Sequence, residues 1–355
     1  MNKKIKAVAN KCKNCGYDLV FNPDSNSVVC PSCKSSTPIL QNKIIAKHDF
    51  ERSYKTADKN TEWGNQNKSM ECPNCGARVA LMQFQAAANC PYCNSELVAS
   101  MEQFSGLKPD AIIPFKISKE KAVEKFKNIL KSKFLVPKSF KNSVSADEIH
   151  GYYFPVFMFE ADCITQYSGR LYEEYTVKDR EGNSETRRRY FNIQGTLPSR
   201  HNNIEVEASS KLSQYELAGI SPYDHKLAQA YNDEYVYGYE LEFYSNSVEA
   251  SYEQALKIMK AQIRQSILFK YHYDGVDHLD MSHSFSNPKY TYSMLPMYRI
   301  NYTYKNKKYT NIMNGQSGKL TGSYPKSGAK ITLLVLAGVL VFLVPVILIL
   351  LFVFM

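Results

Sequence analysis

The stretch HGYYFPVFMFEADCITQYSGRLYEEYTV, residues 150–177, decides the fold. Aromatic and β-branched residues dominate it, with Gly and Asp as interruptions, so it reads as a series of strands. Immediately after it, TVKDREGNSETRRRYFN (176–192) places a polar turn at Glu181-Gly182-Asn183 between two strand-like flanks, which predicts a β-hairpin. Arg187, Arg188 and Arg189 in that hairpin could form an anion patch, but Glu174, Asp179, Glu181 and Glu185 are close enough in sequence to answer them.

Helices flank this β-rich centre. SKEKAVEKFKNILKSKF (118–134) has Ser118 as its N-cap, Pro137 beyond its end, and Val123, Phe126, Ile129, Leu130 and Phe134 as its expected inner face. SVEASYEQALKIMKAQIRQSILF (247–269) is expected to turn Tyr252, Ala255, Leu256, Met259, Ile263 and Ile267 inward. YYFPVFMFEAD (152–162) and SMLPMYRINYT (293–303) each follow a helix and share a proline ahead of a strand, which hints at an internal duplication. The expected class is therefore α+β: a central antiparallel-sheet domain over 105–325, with helices on one face.

Toward the amino terminus the chain repeats a cysteine hook. CKNCGYDLVFNPDSNSVVCPSC (12–33) and CPNCGARVALMQFQAAANCPYC (72–93) each read C-x2-C, fourteen residues, C-x2-C. Two residues between cysteines let a tight turn aim both sulfurs at one ion, and Gly16 and Gly76 supply the positive φ that follows. Cys12, Cys15, Cys30 and Cys33, then Cys72, Cys75, Cys90 and Cys93, are thus the metal ligands of two four-cysteine zinc ribbons, with two structural Zn2+ ions and no open coordination position. A rubredoxin-like iron site would use similar knuckles. Four disulfides would need export, whereas MNKKIKAVANKCKNC has no apolar core of a signal peptide. The expected organisation is ribbon 1 over 1–40, a linker over 41–70 with Trp63 as its anchor, and ribbon 2 over 71–104.

Formal net charge is +10; eight thiolates holding two Zn2+ bring it to about +6, mildly basic for the size. Nucleic-acid ribbons add basic and aromatic residues on an exposed strand. ARVALMQFQAAAN (77–89) is mostly apolar instead, which suits packing against protein.

The carboxyl-terminal stretch 331–355 has no charged side chain and a single Thr. At 1.5 Å per residue it spans roughly 37 Å, more than the ~30 Å hydrocarbon core, so one tilted transmembrane helix fits, kinked at Pro345 or, alternatively, folded as a re-entrant hairpin. Lys319, Lys326 and Lys330 precede it, and the positive-inside rule puts the rest of the chain in the cytoplasm. The expected location is the cell membrane, single-pass, with the bilayer itself as a partner.

Catalytic patterns are missing. NGQSGKLTG (314–322) departs from G-x4-G-K-[ST] and reads as a hairpin, with Asn314-Gly315 and Ser317-Gly318 at positive φ. His272, His278 and His283 lie among Asp274, Asp277 and Asp280, residue types that can hold a metal but are more commonly exposed loop residues, and Cys163 is expected to be buried and inert. No catalytic residues and no enzyme activity are expected.

The tandem C-x2-C-G...C-P-x-C hooks, IHGYYFPVFMFEAD (149–162), LPMYRINYTYKNKKYTNIMNGQSGKL (295–320) and the hydrophobic terminus together resemble a bacterial family of TFIIB-type zinc-ribbon membrane proteins, often labelled replication-restart helicase-like. The resemblance implies a membrane partner in phage-shock-type envelope-stress systems, holding a flotillin-like or phage-shock-A-like protein. Two functions follow as expectations: a non-enzymatic adaptor recruiting a cytosolic protein, or a membrane-associated nucleic-acid-binding protein.

Overall fold

The computed structural model describes residues 11–57, 68–81, 87–90, 92, 95–98, 107–143, 149–178, 180, 182–209 and 211–354. Cys93, Trp63, Asp179 and Glu181 lie outside the described residues. The first hook holds β1 (Val20–Asn22), β2 (Ser27–Val29) and β3 (Ser36–Pro38), a three-stranded antiparallel sheet. After it come β4 (His48–Asp49) and α1 (Phe50–Ala57), inside the stretch expected to be linker. Phe50 is buried there, with its ring 4.1 Å from that of Tyr252.

The second hook supplies β5 (Lys68–Glu71), β6 (Arg78–Leu81), β7 (Ala87–Asn89) and β8 (Glu96–Val98). The chain continues through β9 (Ala111–Ile112), α2 (Lys119–Ser132), α3 (Lys138–Ser143), β10 (Ile149–Lys178) and β11 (Ser184–Glu207). It then forms α4 (Gln214–Ile220), β12 (Gln229–Ala230), β13 (Glu240–Glu242), α5 (Val248–Leu268), β14 (Gly275–Tyr304), β15 (Lys307–Asn314), β16 (Leu320–Gly322) and α6 (Gly328–Phe354).

The deciding stretch is one strand, where the sequence predicts several. β10 and β14 pair antiparallel from Ile149↔Ile300 to Tyr172↔Gly275 and form the spine of the molecule. Gly169 does not end β10: a Cβ there would come within 2.6 Å of the His278 carbonyl, so the residue permits close approach of the neighbouring strand. A register shift between Phe159 and Ala161 takes up the polar interruption without breaking the pairing to β11.

Pro155 and Pro296 occupy matching places. The second edge of β10 pairs parallel with β13 at Tyr152 and Tyr153, then antiparallel with β11 from Val156 onward. The second edge of β14 pairs parallel with β9 at Ser293 and Met294, then antiparallel with β15 from Met297 onward. Each proline falls at the change of partner, where a missing N–H costs no ladder bond. The sheet is consequently mixed, with short parallel pairings where the sequence predicts only antiparallel ones.

Helices cover both faces of the spine, a correction to the expected single face. Tyr153, Phe157 and Phe159 point into a core with Phe126 and Leu130 of α2, Phe140 of α3 and Ala255 and Met259 of α5. Their alternates Tyr152, Phe154, Val156 and Met158 face Leu217 and Ile220 of α4. With both faces buried, the strand reads as a continuous apolar run without alternation. Ser118 caps α2 as expected, but its inner face is Ala122, Phe126 and Leu130, while Phe134 is 56% exposed beyond the helix. The inner face of α5 is Ala255, Met259, Ile263 and Ile267 as expected, extended by Val248, Ser251 and Leu268, with Tyr252 and Leu256 only half-buried.

Candidate metal centres

Each hook folds because its knuckles satisfy their own backbone. In the first, the Gly16 amide donates to the Cys12 carbonyl at 2.8 Å and the Cys12 amide to Tyr17 at 2.8 Å. In the second, the Gly76 amide donates to Cys72 at 2.7 Å and the Cys72 amide to Ala77 at 2.8 Å. Gly16 and Gly76 have φ of 74° and 68°, as the turn requires. The returning knuckle of hook 1 repeats the pattern with Lys34 at φ 62°, a role its residue type did not announce.

Ligand atoms of Cys12, Cys15, Cys30 and Cys33 all lie within 4.8 Å of one another, and so do those of Cys72, Cys75 and Cys90. Closest approaches are 3.5 Å for Cys12 to Cys33, 3.4 Å for Cys15 to Cys30 and 3.5 Å for Cys75 to Cys90. A tetrahedral ion with ~2.3 Å bonds to sulfur sets its ligands about 3.8 Å apart, so both clusters suit metal binding. The Ser35 hydroxyl, helped by the Asn14 and Cys15 amides, draws the Cys12 thiol down to about 6, and Ser35 also lowers Cys33, whereas Cys30, against the pull of the Cys33 amide, is pushed up to about 11 by burial and the Cys15 thiol. Thiolate is the form a soft ion takes.

Both hooks are fastened to the central domain. Phe21 of β1 donates its amide to the Tyr237 carbonyl at 2.8 Å, and its ring sits 5.3 Å from that of Tyr235. Beside this joint lies a cleft of about 500 Å3 lined by Asn22, Asp24, His150, Tyr239 and Glu240 among others. The second hook goes further, since β6 pairs antiparallel with β13 through Leu241↔Ala80 and Glu242↔Val79 and so extends the main sheet. Ala77 and Val79 are fully buried. The apolar character of Ala77 and Val79 is therefore used within this chain; residues 82–86 of that hairpin lie outside the described residues.

Beneath the second hook lies a polar cluster that the sequence did not signal. Glu242 is 2% exposed and accepts hydrogen bonds from the Ser209 and Tyr92 hydroxyls. Glu207 accepts from the Ser209 amide at 2.6 Å, and the Lys211 ammonium donates to the Cys75 carbonyl. The Arg299 guanidinium lies over the Tyr92 ring at 4.6 Å. Burial, then the charge of Glu242, pushes the Glu207 carboxyl up to about 9. Burial likewise lifts Glu242 to about 7 against the opposing hydrogen bonds and Arg299. Each of these residues stands singly in a strand or loop, and only their convergence makes a cluster.

The other expected groups separate. His278 and His283 are strung along β14, where His278 meets Asp277 at 3.3 Å and His283 meets Thr165 at 2.9 Å. Among the described residues only the cysteine groups could hold a metal. Arg187, Arg188 and Arg189 pair with Glu185, Glu174 and Glu173 at 2.8, 3.0 and 2.5 Å. Cys163 is buried as expected, 3.5 Å from the Thr165 hydroxyl. In the NGQSGK turn Gly318 has φ 78°, but Gly315 is not left-handed; a Cβ on it would strike the Phe115 ring at 2.4 Å.

Fold and site together define an α+β protein with cysteine clusters suited to metal at one end of the chain and, at the other, one helix long and apolar enough to cross a membrane. α6 is a single helix with Pro345 inside it. The chain is 25% identical over 325 residues to a Bacillus subtilis (strain 168) protein called "Uncharacterized protein YdjG", covering 91% of this chain and 92% of that one. No family model and no solved structure matches it.

Proposed function

We propose that the protein is a membrane-anchored zinc-ribbon adaptor that brings a cytosolic protein partner to the bilayer. Two structural Zn2+ ions would hold the hooks, Cys93 completing the second set, and four thiolates per site are the donor set that zinc favours. α6 would span the cell membrane once, with Lys319, Lys326 and Lys330 retained on the cytoplasmic side. The partner expected from the family resemblance is flotillin-like or phage-shock-A-like, in an envelope-stress response.

The observation that carries this reading is the joining of both hooks and the apolar helix to one folded body. Hook 2 extends the central sheet through β13, hook 1 is held at Tyr237, and α6 begins on the loop that follows α2. Such a body displays its surfaces at a fixed place relative to the helix. The rival nucleic-acid role loses support because the arginine triplet is neutralised by its own glutamates. The matching partner changes at Pro155 and Pro296 support an internal duplication behind the two halves of the spine.

The test is affinity capture of the full-length protein from detergent-solubilised membranes, comparing wild type with Cys72→Ser/Cys75→Ser. Loss of a stoichiometric protein partner in the variant is expected, and an unchanged set of partners would sink the recruiting role of the hook. A salt-dependent titration with nucleic acid on the same preparation should show only sequence-independent binding that is lost on raising salt.

A further inference from the structure

We infer that the end of the domain from which α6 emerges is a docking face for anionic lipid headgroups. This rests on the reading of α6 as a membrane span.

The start of α6 is tied to the loop after α2. The Ser327 amide donates to the Leu135 carbonyl at 2.8 Å, and the Lys330 ammonium donates to the carbonyls of Phe134 at 2.6 Å and Val136 at 3.0 Å. Lys330 also lies 5.1 Å from the centre of the Phe134 ring, and Lys133 5.2 Å from that of Tyr324. The side chain of Phe134 is left 56% exposed at this root.

Among the described residues, several cations gather around it. Lys141 donates to the Lys131 carbonyl at 2.8 Å, and its ammonium is lowered by burial and then by the charges of Lys330 and Lys138, which places those three cations together. The tip of the β14–β15 hairpin joins the same end: Tyr304 meets the Ser139 hydroxyl at 2.9 Å and the Phe140 ring at 5.4 Å. That tip carries Lys305, Lys307 and Lys308, all exposed. Two segments build most of this surface, and neither contains a carboxylate: there is no Asp or Glu from Lys125 to Ser143, nor from Met281 to Met355. Among the described residues none of these lysines forms an ion pair, in contrast to the three arginines of the β10–β11 hairpin.

A cluster of unpaired lysines costs self-repulsion unless anions meet it. Its continuity with a charge-free helix points to the source of those anions, because lysines beside a span face a headgroup layer whose negative potential attracts them. Phe134, at the same level, would sit at the boundary of headgroup and acyl chain.

The test uses full-length protein in which the only tryptophan is removed by Trp63→Phe and an indole is introduced by Phe134→Trp. It is reconstituted into vesicles of phosphatidylcholine with about one-third phosphatidylglycerol, in two preparations of the same composition, bromine being carried on the acyl chains of either lipid. Since depth is identical in both, a difference in quenching reads local lipid enrichment. Quenching per brominated lipid on the order of threefold stronger from phosphatidylglycerol is expected, falling to equality at high salt and in Lys138→Gln/Lys305→Gln/Lys307→Gln/Lys308→Gln. Equal quenching by both lipids in the parent protein overturns the docking face while leaving the span intact. Absence of quenching by either, with release of the protein by alkaline carbonate, overturns the span itself. If the four-lysine variant loses RNA binding with its quenching ratio unchanged, the face serves nucleic acid and the inference fails.

Discussion

The Tyr92 hydroxyl donates a hydrogen bond to Glu242, so a residue of the second hook's returning knuckle is held by a buried carboxylate of the central sheet. Glu242 and its neighbour Glu207 have folded-state values near 7 and 9, both above the ordinary carboxyl value of 4.5. At these two carboxyls the folded protein therefore binds more protons than the unfolded chain above about pH 4.5, and their contribution to stability falls as pH rises. The contribution is full below that pH and lost progressively as pH rises through 7 and then 9. The difference in melting temperature between Glu207→Gln and the wild type should therefore grow in favour of the variant from pH 5 to pH 9, by on the order of a few kcal/mol in stability. An identical pH dependence in the two proteins contradicts the buried, protonated state.

Metal removal should act on the two hooks separately. Cys72→Ser is expected to halve the bound zinc measured by elemental analysis, since Cys12, Cys15, Cys30 and Cys33 form their own cluster. Because Val79 is paired with Glu242, the variant should also speed hydrogen exchange at β13, while Cys12→Ser should not. Structural zinc contributes on the order of 10 kcal/mol to such small units, so a chelator should lower the melting temperature of the wild type markedly. Equal exchange at β13 in both variants would show that hook 2 docks without its metal.

Asn314 should prove to be the costly residue of the NGQSGK turn. It is fully buried, donates to the Ile220 carbonyl at 3.0 Å, and accepts from the Gln316 and Ser317 amides at 2.8 and 2.9 Å. Asn314→Ala leaves three backbone groups without this partner and should cost about 2–4 kcal/mol in denaturant unfolding. Gly315→Ala should also destabilise, by about 1–3 kcal/mol, through its collision with Phe115.

The arginine triplet should matter little to stability. Arg188 and Glu174 are each more than a third exposed, so Arg188→Ala is expected to leave the denaturant midpoint nearly unchanged, and the more so at high salt. A larger, salt-insensitive loss would mean that stacking of Arg188 on Tyr172, 4.4 Å away, outweighs the ion pair.

Local chemistry was legible from the residues themselves. C-x2-C-G turns place two sulfurs together whatever surrounds them, so the knuckles at Cys12 and Cys72 could be read directly, as could the Ser118 cap and the charge-free run that becomes α6. The glycines and prolines of the β region were ambiguous because their meaning depends on a neighbour. Gly169 marks a close approach of His278 rather than a turn, and Pro155 marks a change of strand partner rather than a strand end.

By itself, then, the sequence determined the paired cysteine knuckles, the helices α2 and α5 and the run apolar enough for a bilayer, because those properties arise within a turn or two of chain, whereas α1, α3 and α4 were not legible in it. Tertiary structure alone decided that β6 would extend the main sheet through β13 and that Tyr92, Glu207, Glu242 and Arg299 would meet beneath the second hook. It also brought lysines from α2, α3, the β14–β15 hairpin and α6 to one end of the domain. The physical reason is that burial and charge clustering depend on distances between residues far apart in sequence, which no local pattern encodes.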